Sequence, residues 1–210
     1  TANIQLCTAH WYGGNREQSC ENTVKSVKKL LGGIQIDGYY ELNMSEIPKL
    51  NSMVDGVTVT LEDDFSKKYP KMKKGATINL DDEQAYAYVH DRYGVGDEEN
   101  TSRMKRQQQY MTGFFKKLQE KVKANPNYAN EVFESLQDVS TTDITIGKIS
   151  NISNIFASGT DKGIFELAGK SKIGQALGDE MDHMEFYVNK KAMVSTMSEL
   201  FGIVEQKNKE

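Results

Sequence analysis

The chain has 210 residues, a mass of 23.6 kDa and 38% hydrophobic residues, which suits one compact domain with its own core. With 26 Lys and Arg against 30 Asp and Glu the net charge is -4, so the basic surplus typical of nucleic-acid-binding proteins is missing. Three prolines and a mean hydropathy of -0.61 argue against extended disorder. We therefore predict a single folded domain over residues 1–210 and no nucleic-acid partner.

The sequence has no run of about 18–20 apolar residues such as a membrane span needs. It also has no N-terminal signal in which positive charges precede an apolar stretch. It begins at Thr1, in a segment that already has the pattern of a structured region. This beginning favours a processed or truncated product of a longer protein.

The first half of the chain alternates predicted helices and strands. Apolar residues at helical spacing predict the helices, and aromatic or β-branched residues predict the strands. In chain order these elements are a helix from Cys20 to Leu31 ended by two glycines, a strand over 38–43, a short helix over 45–53 and a strand over 57–61. The five lysines between Lys67 and Lys74 indicate a solvated loop.

The second half is predicted to be mostly helical. Asp81 is placed as an N-cap and Gln84 as its capping-box partner, for a helix that runs to about Asp91. The next helix runs from about Thr101 to Ala124. The residues expected to be buried on it are Met104, Met111, Phe115, Leu118 and Val122. The remaining predictions are helices near 128–137, 143–157 and 190–201 and a strand over 184–188.

The two cysteines, Cys7 and Cys20, lie on either side of a Gly-Gly turn. This spacing is compatible with a disulfide in an oxidising compartment and equally with two separate thiols. The sequence has no Cys-x-x-Cys, and His10, His90 and His183 are far apart, so we expect no zinc site.

The most informative segment, residues 90–109, runs from the end of the helix that starts after Asp81 into the long helix that follows it. Helical spacing places Arg103 and Gln107 on the flank of a buried stripe. A half-buried arginine is costly unless it is paired. Two interpretations stay open: acids such as Asp91 or Asp97 neutralise it, or a bound phosphate does.

The second interpretation predicts an anion site. Arg92 and Arg103 can each offer planar bidentate donors, Gln107 adds an amide, and the N–H groups at the start of the long helix favour negative charge. Such a set suits a pyrophosphate. His90 could act there as a general acid or base, or could simply be a solvent-facing residue at a helix end.

An ordered series of motifs resembles the LytR-CpsA-Psr family of cell-wall enzymes. The motifs are Ala9-x-x-Tyr12-Gly13-Gly14, Thr23-Val24-x-x-Val27-x-x-Leu30-Leu31-Gly32, Ile36-Asp37-x-Tyr39-Tyr40-x-x-Asn43, Val54-Asp55-Gly56-Val57-x-Val59, Leu80-x-x-x-Gln84-Ala85-x-x-Tyr88-Val89-x-x-Arg92 and Arg103-x-x-Arg106-Gln107. The resemblance is dense over residues 1 to about 124 and looser beyond.

The resemblance implies an α/β fold in which helices flank a mixed central sheet (α/β/α) and enclose an apolar lipid pocket. It also implies an extracytoplasmic phosphotransferase of Gram-positive cells. Such an enzyme moves a glycopolymer, such as teichoic acid or capsule, from polyprenyl pyrophosphate to peptidoglycan with magnesium. By position, Arg92 and Arg103 match the catalytic arginines. The residues expected to bind substrate are Arg92, Arg103, Gln107, His90 and Arg106.

The departures from the family pattern leave alternatives open. His90 stands where an arginine is common, and Asn100 where an acid is common. The family's N-terminal part, with its membrane anchor, first strands and magnesium ligands, has no counterpart in this sequence. The chain is therefore expected to be the larger C-terminal part of an active phosphotransferase, or a lipid- or polymer-binding module without turnover. A transcriptional attenuator has little support.

Overall fold

A computed structural model of the protein describes residues 6–176 and 178–202, which contain seven α-helices and six β-strands. The helices are α1 (Arg16–Leu30), α2 (Ile47–Met53), α3 (Asp82–His90), α4 (Asn100–Ala124), α5 (Tyr128–Ser135), α6 (Ile146–Ser158) and α7 (Lys190–Phe201). The strands are β1 (Tyr40–Leu42), β2 (Thr58–Thr60), β3 (Thr77–Asn79), β4 (Ser140–Thr142), β5 (Gly169–Gly174) and β6 (His183–Val188). Short 3₁₀ segments cover Leu6–Tyr12, Met44–Glu46 and Gln137–Val139.

The predicted α/β class is confirmed, but the described strands form small sheets in place of one central sheet. β1 pairs with β4, β2 with β3 and β5 with β6, each as a two-stranded sheet. The last two pairs are antiparallel. The sequence does not predict strands β3, β4 and β5, because each contains at most one apolar residue and so shows no alternating apolar pattern.

The described chain divides into two compact units, and the single domain over residues 1–210 stays a prediction. The first unit comprises the described residues of Thr1–Glu41, Thr141–Asp143 and Phe165–Glu210. In it the 3₁₀ segment Leu6–Tyr12 packs against α1. The β5–β6 hairpin and α7 belong to the same unit. The second unit comprises Leu42–Ser140 and Ile144–Ile164 and contains α2 to α6.

The core of the second unit lies between α3, α4 and the β2–β3 pair. Among its fully buried residues are Val57, Leu61, Leu80, Tyr88 and Tyr110. Helix α4 approaches β2 closely at Gly113, where a Cβ atom would lie 2.6 Å from a methyl carbon of Val57. Glycine is a poor residue for a helix interior, so its place in α4 is explained by this close packing.

The long predicted helix exists, but it is rotated relative to the expected buried stripe. Its buried residues are Arg106, Tyr110, Phe114 and Val122. The prediction was right for Val122, and Leu118 packs against the core. It was wrong for Met104, Met111 and Phe115, whose exposed fractions are 49%, 39% and 45%. Arg106 can be buried because other parts of the fold supply hydrogen-bond partners for its guanidinium. The hydrophobic pattern of the sequence carries no information about such contacts.

The predicted start of α3 is confirmed in detail. The Asp81 carboxylate accepts a hydrogen bond from the Gln84 backbone N–H at 2.9 Å, and the Gln84 side chain accepts one from the Asp81 N–H at 3.2 Å. This capping box satisfies backbone donors that the helix leaves free. Local sequence therefore determines where α3 begins.

Buried Asn51 connects α2 to three other parts of the second unit. Its amide nitrogen donates to the Leu80 carbonyl and to Asp82, both at 2.9 Å. Its oxygen accepts from the Val57 N–H at 3.1 Å and from the Tyr110 hydroxyl at 3.2 Å. Asp82 is partly exposed and also accepts from the Ser52 hydroxyl, but Val57, Leu80 and Tyr110 are buried, so their bonded groups depend on Asn51 for a partner.

None of the described helices is both long and apolar enough to cross a membrane.

We expect Asn51→Ala to lower the free energy of unfolding by about 2–4 kcal/mol, because more than one buried polar group loses its partner. Urea denaturation measures the change. Asn154→Ala, at an exposed position of α6, is the matched control and should change stability by less than about 0.5 kcal/mol. Equal midpoints for the two variants would contradict the role assigned to Asn51.

Candidate functional site

Side chains of α4 hold the C-terminal end of α3. The Arg106 Nε donates to the Tyr88 carbonyl at 3.0 Å, and its Nη2 donates to the Asp91 carbonyl. The Gln107 amide donates to the Val89 carbonyl at 2.9 Å. Carbonyls in the last turn of a helix have no partner within the helix, so Arg106 and Gln107 together supply the missing donors.

Arg106 is also half of a buried ion pair. Its Nη1 donates to the Asp63 carboxylate, and the exposed fractions of the two side chains are 1% and 13%. The guanidinium lies 5.3 Å from the centre of the Phe65 ring. All three of its nitrogens therefore donate to protein groups. The sequence predicts Arg106 as a substrate-binding residue, but these contacts favour a structural role, because it has no nitrogen without a protein partner.

Arg92 follows directly after the clamped end of α3. Its guanidinium lies over the Tyr93 ring, 4.4 Å from the ring centre, and one of its terminal nitrogens donates to the Tyr93 hydroxyl. Its Nε is shielded from solvent and has no hydrogen-bond partner. The Arg92 guanidinium is therefore a charged group that uses only some of its hydrogen-bond donors within the protein.

Arg103 lies one turn before Arg106 on α4. One of its terminal nitrogens donates to the Asn100 side-chain oxygen at 2.5 Å. Its Nε, like that of Arg92, is shielded and without a hydrogen-bond partner. Because Arg106 bonds to the residue that precedes Arg92, both arginines belong to the same end of the α3–α4 pair. We call this region the arginine end.

The acids expected to neutralise these arginines make other contacts. Asp91 lies 3.4 Å from the Lys68 ammonium and raises the pKa of that group. Asp97 accepts from the Glu99 N–H and the Ser102 hydroxyl, and these hydrogen bonds lower its pKa. Among the described ion pairs, none involves Arg92 or Arg103. Neither acid therefore neutralises Arg92 or Arg103 in the described structure, and the anion site stays a prediction.

His90 is the last residue of α3 and half of its side chain is exposed. Its ring stacks on Tyr86 with ring centres 4.8 Å apart, and its Nδ1 lies 3.2 Å from an Asp91 oxygen. His90 is therefore a solvent-facing histidine at a helix end, one of the two roles that the sequence leaves open for it. Its predicted role in binding substrate stays a prediction.

The structure adds residues that sequence reasoning did not assign to this region: Asp63, Lys68 and Tyr93. Asp63 and Lys68 come from the loops that precede β3, so no local pattern connects them with residues 90–107. The one signal available in the sequence was that Tyr93 directly follows Arg92, and the structure shows that its side chain is exposed.

Magnesium is expected from the resemblance, and its preferred ligands are carboxylate oxygens. Within the described residues, the one cluster of three or more potential metal ligands is His10, Cys20 and Glu41. That cluster contains no residue of the arginine end, and it has nitrogen and sulfur where magnesium prefers oxygen. That cluster therefore does not suit magnesium, and the expected use of magnesium stays a prediction.

The sequence matches the LytR_cpsA_psr family over residues 2–201. The chain belongs to this family. Both compact units contribute to the matched segment of this LytR_cpsA_psr protein. A comparison with curated proteins found no match.

Solved structures support the same fold. The Lin1025 protein of Listeria innocua has a TM-score of 0.67 at 20% identity, covering 95% of this chain and 79% of that one. A protein described as transcriptional regulator EF0465 of Enterococcus faecalis has a TM-score of 0.71 at 20% identity, covering 96% and 71%. A structure described as TagT bound to LI-WTA has a TM-score of 0.66 at 19% identity, covering 94% and 70%.

We expect Arg106→Ala to destabilise this LytR_cpsA_psr protein by about 3–5 kcal/mol, because Asp63 loses its partner and two carbonyls lose donors. Arg106→Lys keeps the charge but not the forked geometry, so its loss should be intermediate. Denaturant midpoints test both variants. The assignment fails if Arg106→Ala unfolds at the same midpoint as Lys105→Ala, an exposed neighbour on α4.

Proposed function

We propose that this protein is an extracytoplasmic phosphotransferase. In this proposal it moves an anionic glycopolymer, such as teichoic acid or capsule, from polyprenyl pyrophosphate to peptidoglycan. Membership of the LytR_cpsA_psr family supports the reaction class. The observation that carries the proposal is the pair of shielded, unpartnered Nε atoms of Arg92 and Arg103 at the arginine end. A shielded charged donor without a partner calls for an explanation, and a bound pyrophosphate supplies one.

The arginine end would hold the diphosphate through charge-assisted hydrogen bonds. The acceptor hydroxyl of peptidoglycan forms a P–O bond to the polymer-bearing phosphorus and releases its proton to water. The bond from that phosphorus to the polyprenyl phosphate breaks, so negative charge builds on the leaving phosphate. Arg92 and Arg103 would stabilise that charge, and Gln107 would keep the end of α3 in place for them.

An apolar surface begins next to the charged end. Met104, Met111 and Phe115 lie along one face of α4 and are exposed. The Phe115 ring makes an edge contact with Phe156 of α6, and exposed Ile152 lies on the same helix as Phe156. Contiguous exposed apolar surface usually binds something, and methionine adapts well to flexible ligands. A polyprenyl chain with its pyrophosphate head at Arg103 would match this order.

The head-group site is tested by the binding of a polyprenyl pyrophosphate to the wild type, Arg92→Ala and Arg103→Ala, with and without magnesium. Each variant should bind about 10–100-fold more weakly, because each loses a charge-assisted interaction of about 1.5–3 kcal/mol. Lys105→Ala removes an equal charge from an exposed position of α4 and should bind normally. Unchanged binding in both arginine variants would sink the proposal.

The apolar surface predicts a different result for Phe115→Ser. This variant should weaken binding of the full polyprenyl pyrophosphate by about tenfold, since an aromatic side chain no longer contacts the chain. Binding of inorganic pyrophosphate should stay the same, whereas the arginine variants should lose both ligands. Equal losses for the two ligands in Phe115→Ser would place the lipid elsewhere.

The alternative is a module that binds the carrier lipid or a cell-wall polymer without turnover. It predicts the same binding results but no transfer of labelled polymer to peptidoglycan. Replacement of a common arginine by His90 favours this alternative. A transfer assay with the wild type separates the two functions.

A further inference from the structure

A second cluster of reactive side chains lies in the first unit. His10 comes from the 3₁₀ segment Leu6–Tyr12, Cys20 from the first half of α1, and Glu41 from β1. Their nearest ligand atoms all lie within 4.8 Å of one another. Cys20 is buried with 4% exposure, and the His10 and Glu41 side chains are partly exposed.

The turn between His10 and α1 keeps His10 close to Cys20. A Cβ atom at Gly13 would lie 2.1 Å from the Ser19 hydroxyl oxygen and 2.4 Å from the Ser19 nitrogen, so only glycine fits there. The Asn15 side chain accepts from the Gln18 N–H at 2.9 Å and caps α1. The start of α1 therefore lies tightly against the turn that follows the 3₁₀ segment with His10.

The distances within the cluster resemble those around a tetrahedral zinc ion. The His10 Nε2 lies 3.9 Å from one Glu41 oxygen, and the Cys20 sulfur lies 3.6 Å from the other. Zinc bond lengths of about 2.0–2.3 Å imply ligand separations of about 3.4–3.6 Å. The pair of Cys20 and Glu41 already matches. The three ligand atoms, one from each residue, lie within 4.8 Å of one another, so the side chain of His10 needs to approach the other two by up to about 1.4 Å.

The protonation and bonding of the cluster also suit a cation. The His10 Nε2 is shielded from solvent and has no hydrogen-bond partner, which leaves its lone pair or proton unused. Burial raises the pKa of Glu41, but the hydrogen bonds and charge of Arg16, with further hydrogen bonds from Cys20 and Thr141, outweigh it and lower that pKa. Arg16 contacts both Glu41 oxygens, at 3.3 and 3.2 Å. Ligating carboxylates commonly have such outer hydrogen bonds, and the lone pair that now accepts from the Cys20 thiol becomes free when that thiol loses its proton.

From this geometry we infer that His10, Cys20 and Glu41 form a binding site for a zinc-class divalent cation, with water as the fourth ligand. The imidazole and thiolate ligands select zinc or cobalt over magnesium. The inference concerns a different unit of the chain from the arginine end and does not depend on the proposed function. It also reverses the expectation of no zinc site, which rested on sequence spacing alone.

Cys20 needs to lose its proton to bind the metal. In the structure the Cys20 thiol donates to a Glu41 oxygen at 3.6 Å, so it carries a proton that zinc has to replace. Zinc would displace this proton. The heat of zinc binding should then depend on the ionisation enthalpy of the buffer.

The test is zinc binding to the full chain, measured by competition with a chromophoric chelator, together with the absorption spectrum of the cobalt form. We expect one metal ion per chain, a thiolate-to-cobalt charge-transfer band, and no competition by excess magnesium. Cys20→Ser, His10→Gln and Glu41→Gln should each bind at least about tenfold more weakly, as ligand loss exceeds the usual effect of losing an outer partner.

His183→Gln is the matched control, because His183 also lies beside a carboxylate, at 2.8 Å from Asp179. It should bind zinc like the wild type. Circular dichroism confirms that each variant is folded, and Cys20→Ala replaces Cys20→Ser if the latter is not. Zinc binding that survives in Cys20→Ser and Cys20→Ala, or a cobalt form without the charge-transfer band, would overturn the inference.

Discussion

The Arg106 guanidinium joins three segments of the second unit: the end of α3, the loop that carries Asp63, and α4 itself. Taking a guanidinium out of water costs several kcal/mol, and only a complete set of partners offsets that cost. The arrangement is therefore close to all-or-none: any displacement of α4 against α3 would leave a buried charge without a partner. This constraint sets the rotation of α4.

Both parts of the candidate site follow from that rotation. With Arg106, Tyr110 and Phe114 turned to the core, Arg103 is placed at the edge of the helix pair. The same rotation leaves Met104, Met111 and Phe115 facing outward. The buried hydrogen bonds of Arg106 thus position a charged end and an apolar stripe on the same helix, the order that the proposed lipid pyrophosphate would need.

The two candidate sites differ in chemistry. The arginine end offers hard, positively charged donors and suits an anion. The cluster of His10, Cys20 and Glu41 offers nitrogen, sulfur and oxygen and suits a borderline-soft cation. Cys7 and Cys20 are not bonded to each other in the structure. The thiol that was one half of a possible disulfide is instead a potential metal ligand.

Much of the local structure was determined by the sequence itself, because caps, glycine stops and apolar periodicity act over a few residues. The capping box of Asp81 and Gln84, the extent of α4 and the strand near 184–188 all follow from such signals. The family, the position of Arg92 just after α3 and that of Arg103 in the first turn of α4 also follow from the sequence alone. Only the tertiary structure decided which face of α4 is buried, that Arg106 is a clamp, and that Glu41 lies beside His10 and Cys20. Those outcomes depend on partners distant in the chain, and periodicity describes what a residue prefers but not which partner satisfies it.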